Sequence, residues 1–110
     1  VKVYHRTYHS GAILRDGFKD GYCLIPELGS LYGVFVSADW PVDENEGADG
    51  DVVLELDIPA ELWAEYEWIE EDGTWRQAMI PAEQLNSCSV RVLAEDEVTE
   101  LTLARWRSFE

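Results

Sequence analysis

Short runs with a two-residue side-chain period recur along this 110-residue chain, and they commit it to a β-sheet. In the first run Val1, Val3, His5 and Thr7 share one face, while Lys2, Tyr4 and Arg6 share the other. Val52-Val53-Leu54-Glu55-Leu56-Asp57-Ile58 is the clearest strand, closed by Pro59, and Gly33 to Ser37 (Gly-Val-Phe-Val-Ser) is a β-branched and aromatic third. Tyr66 to Ile69, Thr74 to Ile80 and Ser87 to Leu93 complete the expected strands. Helical signals between them are brief. Ser10 caps a predicted helix over Gly11 to Arg15 that Asp16-Gly17 ends, and Pro59 to Leu62 and Pro81 to Leu85 fit single turns. Ile13, Leu14 and Phe18 would pack the first helix on the sheet. Residues 19 to 31, with Gly21, Pro26 and Gly29, read as a loop, as does the polar stretch Ala38 to Asp51, and Glu70 to Gly73 reads as a turn. Val98 to Phe109 fits helix or strand, with Val98, Leu101, Arg105 and Trp106 favouring helix. Many short strands with brief helices predict an α+β fold over a parallel βαβ array.

No repeat, low-complexity tract or linker divides the chain, so residues 1–110 are expected to form a single domain. Apolar residues make up 46% of it, and five Trp, five Tyr and three Phe supply large core side chains. A chain this long buries roughly two-thirds of its unfolded surface and needs no metal or disulfide to fold. Cys23 and Cys88 match no zinc or redox spacing and read as free thiols. The formal charge of −15 argues against nucleic acid and anionic membranes, which require Lys and Arg facing phosphate. It leaves a solvated surface or an acidic face for a basic protein. No apolar run approaches the ~20 residues of a membrane span, and no basic-then-apolar leader opens the sequence. A soluble cytoplasmic protein is expected, with a leaderless export route left open.

His5 sits on the strand face of Val1 and Val3, where a core histidine satisfied by one hydrogen bond and a pocket residue are both open readings. His9 does not share a metal-ligand geometry with it, and no carboxylate cluster accompanies the pair. Glu44 to Asp51 is acidic and Gly-containing but lacks the ligand spacing of a calcium loop, so it reads as solvated. Trp63, Trp68 and Trp75 read as core and rim packing.

Three phrases in order add a resemblance: Tyr4-His5-Arg6-Thr7; Gly33-Val34-Phe35-Val36-Ser37; and Arg76 through Ile80-Pro81-Ala82-Glu83 to Leu85-Asn86. With the helix ending Ile13-Leu14-Arg15-Asp16-Gly17, they resemble the ADP-ribosyltransferase superfamily, in its diphtheria-toxin and poly(ADP-ribose)-polymerase-like branch, over residues 3 to 86. The resemblance implies a split β-sheet with short helices, and NAD as substrate in a cleft lined by His5, Thr7, Phe35 and Ser37. His5 would hydrogen-bond a ribose hydroxyl, and the Arg6 backbone would clasp the nicotinamide carboxamide. Thr7 and Ser37 would add hydroxyl contacts. Phe35 would stack on the nicotinamide ring in place of the family's usual Tyr.

The family's catalytic Glu falls on Gln77. A carboxylate there stabilises the positive charge that develops as the glycosidic bond breaks, and a neutral amide offers only a dipole. Three readings follow: a fold kept without its chemistry, an altered enzyme using Gln77 or another acid such as Glu55, or a shifted motif with Glu83 as the acid. The implied activity is ADP-ribose transfer to a protein or nucleic-acid acceptor, or NAD hydrolysis, in a toxin, effector or phage-defence component. The alternative class is a noncatalytic acidic module that binds a basic protein.

Overall fold

The computed structural model describes residues 1–25, 29–42, 48–68 and 76–108, with the backbone alone for 22–25. Among them the element order is β1 (Lys2–Thr7), α1 (Ser10–Asp16), β2 (Gly21–Ile25), β3 (Gly29–Ala38), β4 (Val52–Asp57), α2 (Ala60–Tyr66), β5 (Glu67–Trp68), β6 (Gln77–Ile80), α3 (Ala82–Leu85), β7 (Ser89–Val92) and α4 (Glu95–Arg107). Six strands lie in the order β5-β6-β3-β1-β4-β7, and β2 pairs with the first half of β3. All pairings are antiparallel, as an α+β fold built from short meandering strands requires.

Register assigns the two faces, because residues opposite one another across a ladder point the same way. Val3, Val36, Leu54, Leu56, Ala78 and Ile80 lie on one face and join Phe18, Trp63 and Leu85 in the main core beneath α1, α2 and α3. Leu54, Leu56, Ile80 and Leu85 are fully enclosed, each stabilising the fold by about 1.5–3 kcal/mol relative to exposure. On the other face Tyr4, Val53 and Leu93 form a second cluster under Val98 and Leu101 of α4. The C-terminal segment is therefore a helix. Glu95, Asp96 and Glu97 occupy its first turn and Arg105 and Arg107 its last, matching the helix dipole at both ends.

Residues 19–31 depart from the expected loop. Gly21 to Ile25 pairs with Gly29 to Gly33 as a hairpin, so an apolar tetrad cut by Pro26 and Gly29 is a strand after all. β3 then changes partner at Gly33, whose φ of 149° and close approach to the Ile80 backbone exclude a side chain. Helix α1 starts at Ser10 itself, with His9 at the cap position, and the Thr7 Oγ1 accepts the His9 N–H at 2.9 Å. Ile13 packs on the core as expected, but Leu14 points outward. The turn at Pro59 extends to Tyr66, and among the described residues β5 consists of Glu67 and Trp68. The Glu70 to Gly73 turn and the first residues of the Thr74 strand lie outside the described residues, as does the first half of the acidic Glu44 to Asp51 stretch. No described helix is long and apolar enough to cross a membrane.

Two side chains lock α3 to the segment after α1. The Asn86 Oδ1 accepts the Phe18 N–H at 2.7 Å, and its Nδ2 donates to the Phe18 carbonyl at 3.1 Å. Asp20 accepts the Ala82 N–H at 2.7 Å, capping α3 from outside the helix. The Pro81-to-Asn86 phrase thus has a structural cause of its own.

Candidate functional site

The two sides of β1 differ. Against β4 the register runs from Lys2↔Asp57 to Thr7↔Val52 without a break. Against β3 it holds only Val3↔Ala38 and Tyr4↔Ser37. Continued, it would set Arg6 opposite Phe35, and the Arg6 N–H would donate to the Phe35 carbonyl. That carbonyl instead accepts the His5 Nδ1–H at 2.7 Å. A side chain has taken the place of a ladder bond, and the sheet splits there.

The direction of the Arg6 backbone follows from its neighbours. The Val53 carbonyl accepts the Leu93 N–H, so the polar groups of Val53 point toward β7 and away from β1. Arg6, opposite Val53, therefore turns its N–H and C=O toward β3 and into the split. The bond from the Asp39 N–H to the Lys2 carbonyl fits the same alternation.

His5 is half-buried, and its ring meets Phe18 edge-on at 5.6 Å between centroids. Burial pushes its pKa below the ordinary imidazole value of 6.5, opposed by the hydrogen bond to Phe35. A carbonyl can only accept, so Nδ1 carries the proton of the neutral ring and Nε2 holds a lone pair. An acceptor held in fixed orientation beside a strand gap suits a hydroxyl donor.

Phe35, Ser37 and Gln77 project from the opposite face to His5 and Thr7. The four residues expected to line one cleft are thus divided between the two faces and meet only at the split. The Ser37 hydroxyl donates to the Trp40 carbonyl at 2.7 Å, and the Arg6 guanidinium donates from Nε to the Val42 carbonyl at 3.0 Å. Both bonds hold residues 40–42 against the Phe35 face. Gln77 is buried, opposite Ser37 on one side and Trp68 on the other.

Neither alternative acid stands near Gln77. The row Gln77–Ser37–Tyr4–Glu55 crosses three strand spacings, which places Glu55 about 14 Å away. Glu55 is bound there by Arg91 at 3.2 Å and Lys2 at 3.6 Å. Burial, reinforced by Glu55, pushes the Tyr4 phenol up to about 12. Glu83 is exposed on α3, whose Ala82 and Leu85 enter the core on the face away from the Gln77 side chain.

One residue read as packing belongs with the site. Trp68 lies 6.3 Å from Phe35 between ring centroids, tilted by 58°, and both rings are half-buried. Its Nε1–H is buried and makes no hydrogen bond among the described residues. Its place opposite Gln77 is set by the β5–β6 pairing, which no pattern within the expected strand Tyr66 to Ile69 contains. Trp63, by contrast, is core, with the Arg76 guanidinium 5.4 Å above its ring. The chain matches no family model, no curated protein and no solved structure.

Proposed function

We propose that this chain binds NAD at the split between β1 and β3 and acts as an ADP-ribosyltransferase, passing ADP-ribose to a macromolecular acceptor or to water. The observation that carries the reading is the replacement of the Arg6–Phe35 ladder bond by His5. It turns a backbone donor and acceptor into the gap, the complement of a carboxamide, and leaves an imidazole acceptor beside them for a ribose hydroxyl. Phe35 and Trp68 offer aromatic surface for a planar ring on the adjoining face. The role in a toxin, effector or defence component rests on the resemblance alone.

Calorimetry with millimolar NAD tests the binding. Wild-type protein is expected to bind, and His5→Ala to lose at least tenfold in affinity while keeping its fold. Equal binding by both proteins, or none by either, would overturn the assignment. Nicotinamide release tests the chemistry, with Gln77→Glu expected to raise it by about 10²-fold, the scale of one well-placed electrostatic group. No rise would show that position 77 does not face the reacting ribose.

Gln77 itself favours a second reading, in which the fold is kept as a noncatalytic module and the −15 charge serves a basic protein partner. Absence of NAD binding would leave this reading in possession of the field.

A further inference from the structure

The sheet ends at β7, on the far side of β4 from the split. The polar groups of Val53 point to β7, and the same alternation directs those of Glu55 and Asp57 there as well. Ser89 and Arg91 therefore spend their backbone groups on β4, while the N–H and C=O of Val90 and Val92 point out along the open edge. Ser89, Arg91 and Val92 are exposed and Val90 is half-buried. Among the described residues nothing pairs with this edge, and an edge with unspent donors and acceptors is a template for another strand.

The face beside this edge is incompletely covered. A groove of about 250 Å³ runs between α1, α3 and β7, lined by Ile13, Leu14, Phe18, Leu85, Cys88 and Val90 together with the polar Asp16 and Asn86. Leu14 and Val92 are 49% and 42% exposed, so the apolar surface continues from groove to strand edge. Exposed acids follow the strand, Glu95 and Asp96 where α4 begins. Two nearby cations are engaged by acids, Arg15 by Asp16 at 3.1 Å and Arg91 by Glu97 at 2.7 Å.

We propose that β7 is a docking edge for an extended, basic segment of a partner protein. The segment adds as a new strand to the groups of Val90 and Val92, and its alternate apolar side chains enter the groove. Charge selects this occupant. A second copy of the chain would bring −15 against −15, whereas a Lys-rich strand meets a surface of the opposite sign.

The test uses a fluorescent acetyl-(Lys-Val)₄-amide peptide, with its (Glu-Val)₄ counterpart as control, and fluorescence anisotropy as readout. The basic peptide is expected to bind, with affinity falling as salt is raised, and the acidic one not to bind. Val92→Pro removes an N–H that β4 does not use, so the melting temperature should hold while affinity falls at least tenfold. In the unaltered protein, hydrogen exchange of the Val90 and Val92 amides should slow when peptide is added. Equal binding of the two peptides, no binding of either, or unchanged exchange at both amides would each overturn the proposal. So would a dimer of the free chain that Val92→Pro dissolves, since the occupant would then be a second copy.

Discussion

Strand β1 is held by six paired positions on its β4 side and by two on its β3 side. The β4 side is a closed ladder whose buried residues, Leu54 and Leu56, lie opposite His5 and Val3. On the other side β3 is drawn toward β6, to which it is paired from Val34 to Ser37, and only Gly33 permits the approach to Ile80. His5 fills the opening that this creates. One strand thus carries a continuous ladder on one side and an interrupted one on the other, and the difference lies in what its neighbours are paired to.

The largest effect is expected on the closed side. Leu54→Ala removes a fully buried side chain opposite His5 and should cost about 2–5 kcal/mol, read as a lower urea midpoint. Because the loss is in the core and not at the split, any protein still folded should give the parent's result in the proposed NAD calorimetry. A stability change below about 1 kcal/mol would mean that the β4 side is not the rigid partner.

Next comes the seam that pulls β3 away. Gly33→Ala places a methyl group 2.9 Å from the Ile80 carbonyl oxygen at a φ that L-residues avoid, a strain of about 1–3 kcal/mol. Relief requires β3 to move from β6, and with it the Phe35 carbonyl that His5 holds. NMR should report a shifted His5 ring resonance along with the lower melting temperature. An unchanged ring environment would show that the split does not depend on this approach.

The legible part of the molecule was that written in local pattern. Alternation put His5 with Val3 and Phe35 with Ser37, and the uninterrupted run at Val52 to Asp57 gave β4. What escaped depends on distant partners. β2 has only four apolar residues before Pro26, and its strand character comes from pairing with Gly29 to Gly33. Asn86 finds its partner at Phe18, 68 residues earlier, and nothing around Asn86 signals that. The division of His5 and Phe35 between two faces depends on the β1–β3 register, which no periodicity within either strand contains.

The smallest effect is one of pH, and it bears on His5 directly. The folded protein lowers the His5 pKa, chiefly through burial, so as pH falls the unfolded chain takes up this proton before the folded one does. The unfolded state then binds more protons, and stability must decline. The contribution is whole above the unfolded value near 6.5 and is lost as pH drops from there toward the lowered folded value. Acid also relieves repulsion within a chain of charge −15, which works the opposite way, so the quantity to read is a difference between proteins. His5→Gln keeps an amide donor for the Phe35 carbonyl but has no titration. Wild type minus His5→Gln, in melting temperature across pH 8 to 5, should fall toward the acid end by a few degrees. A flat difference would mean that the imidazole is as free to protonate in the fold as out of it, and that the split is open to water around His5.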